Sequence, residues 1–141
     1  MKNLLYTFCL LLTFSCEKAD TIRVAEKLTI ELGQPFKMKL NDTATYYENE
    51  LLFSFILTDI LEDSRCPSDV TCIWQGLFTA AFSCSGCTDE SFELGNGALD
   101  NPSTTVQNGY KLELLEINPT TLSTRTIDLN DYELTLMVSS N

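Results

Sequence analysis

Histidine is absent from this chain of 141 residues. With it go the commonest general base and the commonest metal ligand near neutral pH. Most familiar hydrolase arrangements are thereby excluded, while Ser-Lys, Thr-amine, carboxylate-pair and Cys-based chemistries stay open. Cations are scarce as well: nine Lys and Arg stand against twenty Asp and Glu, a formal charge of −11. No basic patch is available to neutralise phosphates, which argues against nucleic acid and against an anionic membrane surface as partners. Beyond the first fifteen residues no stretch has the apolar period of a helix. There is no internal repeat and no low-complexity tract, and tryptophan occurs once, at Trp74. The length leaves room for one domain with a core of ordinary size.

What is present begins with an address. Lys2 supplies one positive charge, and Leu4 to Phe14 is apolar apart from Thr7 and Thr13, too short to span a bilayer as a helix. Residues 1–15 therefore read as a cleaved signal peptide. The stretch ends in Thr13-Phe14-Ser15-Cys16, which resembles the bacterial lipobox, where signal peptidase cuts before a cysteine that carries diacylglycerol. Thr13 and Phe14 stand where that pattern prefers an aliphatic and a small residue. The resemblance implies that Cys16 is lipidated and that the protein sits in the bacterial cell envelope, anchored in the outer membrane on its periplasmic or surface side. An ordinary cysteine beside a conventional cleavage site is the plainer alternative. Two or three acyl chains bury enough CH₂ groups, at about 0.8 kcal/mol each, to hold where one chain is marginal. Residues 16–25 are polar and aperiodic and read as a tether. Cleavage removes Lys2 and no acid, leaving the mature chain one unit more negative, soluble above an anionic surface.

After the tether, residues 26–141 read as strands. Leu28, Ile30 and Leu32 alternate with polar residues, Gly33-Gln34-Pro35 signals a turn, and Phe36, Met38 and Leu40 alternate with Lys37 and Lys39; this predicts a hairpin with one wet face. Asn41 to Asn49 reads as a polar loop. Leu51 to Thr58 is apolar on both faces, as expected of a central strand. A longer strand is expected from Cys72 to Cys84, with Cys72, Trp74, Gly76, Phe78, Ala80 and Phe82 turned to the core. Phe92 and Leu94 suggest a short strand, Thr104 to Val106 an edge strand inside a Gly/Asn/Ser/Thr-rich connection. Tyr110, Leu112 and Leu114 change parity at Leu115 and Ile117, which a bulge near Leu114 reconciles. After a loop from Asn118 to Asn130, Tyr132, Leu134, Leu136 and Val138 mark a closing strand. Six to eight short strands without helices predict an all-β fold, a single antiparallel β-sandwich in preference to a barrel.

The mature chain carries Cys66, Cys72, Cys84 and Cys87 besides Cys16, in a compartment where disulfides form. If Cys72 and Cys84 end one strand, twelve steps of about 3.3 Å place them roughly 40 Å apart, whereas a bridge needs Cα atoms within about 7 Å. Cys66–Cys72 and Cys84–Cys87 are then the pairs that remain, unless a bend near Gly76 folds the strand back. The same separation argues against a four-thiolate zinc site. Cys84-Ser85-Gly86-Cys87 has the spacing of a redox Cys-x-x-Cys. It follows a strand and enters acidic Asp89-Glu90, the opposite of the helix start that lowers a thiol pKa, so a turn-closing staple is expected instead.

Asp63-Ser64-Arg65-Cys66-Pro67, with Cys72 and Trp74-x-Gly76 downstream, resembles an Asp-Ser-Arg-Cys-Pro…Cys-x-Trp-x-Gly signature of small bacterial lipoproteins, in which Ala more often stands where Gln75 does. The resemblance spans most of the mature chain. It implies a shared β fold and an envelope location, and it carries no activity with it.

Read physically, Pro67 stiffens the loop, a Cys66–Cys72 bridge closes it, and Trp74 is expected to point inward beside that bridge. Arg65 can pair with Asp63, Glu62 or Asp59. The bland reading is a corner in which Asp63 caps backbone N–H groups and Arg65 ties the loop to the sheet. The sharper one is a rigid recognition loop, with Asp63, Ser64, Arg65, Pro67, Ser68 and Trp74 as candidate residues, losing little entropy on docking. Asp59, Glu62, Asp63 and Asp69 could together hold Ca²⁺, although no established loop spacing is present and a solvated acidic rim is the usual meaning. Asp42-Thr43-Ala44 and Asp20-Thr21-Ile22, both in expected loops, resemble a short sequon that some Gram-negative bacteria O-glycosylate.

Together these readings predict a non-enzymatic envelope lipoprotein that binds an envelope or extracellular protein or glycan, with no cofactor and no metal. The alternatives are an inhibitor of a basic extracellular hydrolase, whose encounter the acidic charge would accelerate, and a carboxylate-based calcium protein or enzyme.

Overall fold

The computed structural model describes residues 24–95 and 104–140. Cys16, the leader, the Asp20-Thr21-Ile22 sequon and part of the Gly/Asn-rich connection lie outside the described residues. Among the described residues nine strands follow in order: β1 (Lys27–Thr29), β2 (Pro35–Lys39), β3 (Thr43–Glu48), β4 (Glu50–Asp63), β5 (Phe78–Ser85), β6 (Ser91–Gly95), β7 (Thr104–Gln107), β8 (Tyr110–Asn118) and β9 (Glu133–Ser140), with one 3₁₀ turn at Leu129–Asp131. They form two sheets, β1-β3-β4-β5-β6 and β2-β9-β8-β7, that do not close into a barrel. All pairings are antiparallel except β1 with β3.

The core lies between the sheets. From the first come Phe53, Phe55, Leu57, Phe78, Ala80, Phe82 and Leu94, and from the second Leu112, Leu114, Leu134, Leu136 and Val138, all buried. Each large side chain removed from water contributes about 1.5–3 kcal/mol. β4 is the middle strand of its sheet, as its two apolar faces require. Its period of two slips twice, between Leu57 and Asp59 and between Ile60 and Glu62. Each slip inserts one residue, so Leu57, Ile60 and Asp63 pair with Phe82, Ala80 and Phe78 and share the inward face. A carboxylate thus arrives at the end of an apolar column. The parity change in β8 is a bulge between Leu114 and Glu116, as its apolar pattern requires.

Three expectations are corrected. The stretches around Leu28–Ile30 and Phe36–Met38 are not a hairpin: β1 belongs to one sheet and β2 to the other, and the chain crosses between them through Gly33. Pro35 explains the choice, because a residue without an N–H suits the first position of an edge strand, which β2 is. Lys37 and Lys39 of that strand pair with Glu133.

Residues 41 to 49 hold a strand, not a loop. Thr43-Ala44-Thr45-Tyr46 has β-branched and aromatic side chains but few large aliphatic ones, so pairing propensity acts here where hydropathy is silent. Asn41 and Asn49 bracket it, both at φ 67°. Asp42 is buried, its carboxylate accepting the Glu26 and Lys39 N–H groups at 2.7 Å each, so that sequon sits at a sealed strand start.

Finally, the strand expected from Cys72 begins only at Phe78. Gly76, at φ 77°, turns the chain.

Candidate recognition loop

Two connections meet at one end of the sandwich: residues 64–77 between β4 and β5, and residues 119–132 between β8 and β9. The first starts as a continuation of the sheet. Ser64 N–H donates to Leu77 O and Cys66 N–H to Gln75 O, both at 2.8 Å, so residues 64–66 run against 75–77. Ser64 closes that ladder from its side chain, its hydroxyl accepting the Leu77 N–H at 3.1 Å. Gly76 sits where these strands touch. A Cβ there would lie 2.8 Å from Arg65 Cα and would collide with Ser64 O. Positive φ and close approach together leave only glycine.

Arg65 turns inward. Its Nε and one terminal nitrogen donate to both Asp63 oxygens, at 2.7 and 2.8 Å. The guanidinium also donates to Ile117 O at 3.1 Å and Pro119 O at 3.0 Å, and it stands 5.4 Å over the Phe78 ring. Fork geometry suits such simultaneous bonding, which a lysine cannot reproduce. Asp63 further accepts the Tyr132 hydroxyl at 2.7 Å. Burial pushes the Asp63 carboxyl up, but the bonds from Arg65 and Tyr132 outweigh it and hold the group below the ordinary carboxylate range. Tyr132 is moved up, first by burial and then by its bond to the Asp63 carboxylate. The side chains of Arg65 and Asp63 are 14% and 7% exposed. They are struts that join the first loop to the second, and the cap-and-tie role expected for them holds.

The second connection grips the first again further out. Thr121 O accepts from Ser68 N–H at 2.9 Å and from the Ser68 hydroxyl at 3.2 Å. The Thr121 hydroxyl donates to Cys66 O at 3.2 Å, and Asp69 accepts the Ser123 N–H and hydroxyl at 2.9 and 2.6 Å. Cys66 is bridged to Cys72 across a Cα separation of 6.0 Å, with Pro67 inside the closed ring. The other bridge, Cys84–Cys87, spans 5.7 Å at the opposite end of β5, where Gly86 at φ 80° makes the tight turn. Both pairs are those expected. The long-strand premise used to reach them is corrected, since the bend at Gly76 exists and the first bridge is local to its loop.

Trp74 corrects the expectation of an inward side chain: it is 56% exposed. Ile73 beside it is fully exposed and Val70 is 48% exposed. Among the expected site residues, then, Asp63 and Arg65 bond each other from part-buried positions, exposed Ser64 and Ser68 bond neighbouring backbone, and Trp74 faces water with two aliphatic neighbours. The signal that could have found them is Gly76, a residue able to turn the chain between Trp74 and the strand that begins at Phe78. Asp59, Glu62, Asp63 and Asp69 are not gathered, and among the described residues no three His, Cys, Asp or Glu side chains are grouped to hold a metal ion.

Fold and site together define a disulfide-stapled β-sandwich that carries one cross-braced loop with an apolar tip. No family model, no curated protein and no solved structure matches the chain.

Proposed function

We propose that this chain is a lipid-anchored protein of the bacterial envelope, held through Cys16, with a non-enzymatic binding role exercised by the loop from Cys66 to Gln75. The observation that carries the binding role is the division of labour within that loop. Every polar side chain of the Asp-Ser-Arg-Cys-Pro segment is turned to internal bonding, while Ile73, Trp74 and Val70 stand in water on a backbone fixed from three sides. Large apolar side chains kept in solvent mark contact surfaces, and Trp heads the residues that dominate binding energies. Because the loop is already ordered, docking costs little additional conformational entropy. Asp63, a part-buried carboxylate, is committed through both oxygens to Arg65 and Tyr132, which supports binding over carboxylate catalysis.

One tryptophan makes the test simple. With 5-fluorotryptophan incorporated, Trp74 gives a single fluorine resonance, recorded for the purified protein and again with envelope and culture-supernatant fractions of the native host. Shift or broadening with one fraction, lost in Ile73→Ser, is the expected result. An unchanged resonance in all fractions refutes the binding reading. The anchor is tested separately by intact mass of the membrane-extracted protein: acyl mass on Cys16, with four thiols appearing only after reduction, is expected.

A further inference from the structure

The two connections at this end carry unneutralised acid as well as an apolar face, and the two together specify a partner. On the two connections that build this end, the cations are Arg65 and Arg125. Arg65 is neutralised by Asp63, and Arg125 by Asp131 at 2.9 Å. Asp69 and Asp128 remain without a cation among the described residues. Asp69 is held in place by Ser123 next to Val70, and the two hydroxyl and N–H bonds keep its carboxyl ionised by lowering its proton affinity. Asp128 precedes the 3₁₀ turn with no capping bond from its side chain. The loop that carries the apolar tip thus holds a fixed, unneutralised carboxylate directly before Val70, and the connection that braces it carries a second at Asp128, on a chain with more than twice as many acids as bases.

We infer that the partner of this tip is a cationic protein with an apolar cleft, into which Ile73 and Trp74 insert while its basic rim meets Asp69 and Asp128. This rests on the binding role proposed above and narrows it. A bilayer fits poorly: lipid headgroup phosphates would meet the same carboxylates at close range, and like charges at contact are repelled by several kcal/mol. A glycan offers no cation for these carboxylates. A rigid protruding loop is shaped for a concave surface, and clefts of proteins are lined by apolar side chains with few polar ones. The acidic field also raises the encounter rate with a basic partner in a salt-dependent way.

The test uses the full lipidated chain in its host. A photoreactive residue replaces Ile73 in one strain and Thr135, on the outer face of the second sheet, in another; adducts formed on irradiation are identified by mass spectrometry. The expected result is one protein of net positive charge cross-linked from position 73 and not from position 135. Its yield should fall about tenfold when membranes are irradiated in high rather than low salt, and again in Asp69→Asn/Asp128→Asn, because screening and charge removal act on the same steering. Folding of that variant is checked by its thermal unfolding. A lipid or glycan adduct, an acidic protein, or a salt-independent yield overturns the cationic-cleft assignment and leaves the binding role standing. Absence of any adduct at position 73 overturns both.

Discussion

Replacing Arg65 by methionine removes the strut and keeps the apolar stem. The variant leaves the Asp63 carboxylate, 7% exposed, with only the Tyr132 hydroxyl and the backbone N–H of residue 65, at 3.3 Å, as partners, and it strips donors from Ile117 O and Pro119 O. Breaking a buried pair from one side costs about 3–5 kcal/mol, because the remaining charge stays desolvated. Since both side chains keep some solvent contact, the low end applies, about 3 kcal/mol, or a fall in Tm of about 10 °C for a domain of this size. Urea unfolding followed by far-UV circular dichroism measures the loss. Arg65→Lys should recover less than half of it, since an ammonium cannot grip two carboxylate oxygens and two carbonyls together. In a double-mutant cycle, Asp63→Asn with Arg65→Met should cost about 2 kcal/mol less than the two single changes added. Amide exchange should rise at Cys66 and Leu77 more than at Phe82. A loss under 1 kcal/mol, or additive single changes, would refute the reasoning and reduce Arg65 to a surface side chain.

Gly76→Ala should destabilise by about 3 kcal/mol, from left-handed backbone plus the clash with Ser64 and Arg65, whereas Gly33→Ala, whose Cβ meets nothing within 4 Å, should cost only the backbone term of about 1–2 kcal/mol. Stability should fall on both sides of a neutral plateau. Asp63 loses its proton more readily folded than unfolded, so its contribution is present above the ordinary value of 3.8 and is lost as pH drops through the lower folded value; Asp63→Asn should flatten that limb. Tyr132 holds its proton more tightly when folded, so its contribution is intact below 10.0 and declines as pH rises beyond it; Tyr132→Phe should flatten the alkaline limb. Cys66→Ser/Cys72→Ser should cost about 2 kcal/mol, as expected for so short a closed loop, with the sheets intact by circular dichroism. Trp74→Ser should change stability by less than about 0.5 kcal/mol, since more than half of the side chain is already in water, and an equal loss of Tm to that of Arg65→Met would contradict its placement.

Much of the architecture was legible where burial imposes strict alternation. β4, β8 and β9 announce themselves, and the parity break at Leu114 even located a bulge, because one extra residue is the only way to keep both Leu114 and Ile117 against the core. Alternation says nothing of which strand is the neighbour, which is why β1 and β2 read as a hairpin though they lie in different sheets. β3 was missed because its fitness as a strand resides in Thr and Tyr, side chains that pair well without scoring as hydrophobic. At the site, spacing left Asp63, Glu62 and Asp59 all open to Arg65, and the slips in β4 that turn Asp63 inward decide for Asp63. The grip of Thr121 and Tyr132 was not readable, because more than fifty residues separate them from the loop they hold. Trp74 misled for a related reason: assigning it to a strand forced it inward, and only the turn at Gly76 releases it.

Neither disulfide among the described residues joins the two sheets, or even two strands. One spans six positions and the other three. Under tension applied along the backbone, bridges this short withhold about 20 Å from an extended length of roughly 400 Å. Covalent cross-linking therefore does nothing to stop the sandwich from being drawn out. β1, three residues long at a sheet edge, is the first segment exposed to a pull from its own side, whereas β9 is hydrogen-bonded on both flanks, to β2 and β8. A load entering through a tether ahead of β1 would unravel the domain from the weak edge inward, while the ring around Pro67 kept the shape of its tip until the last.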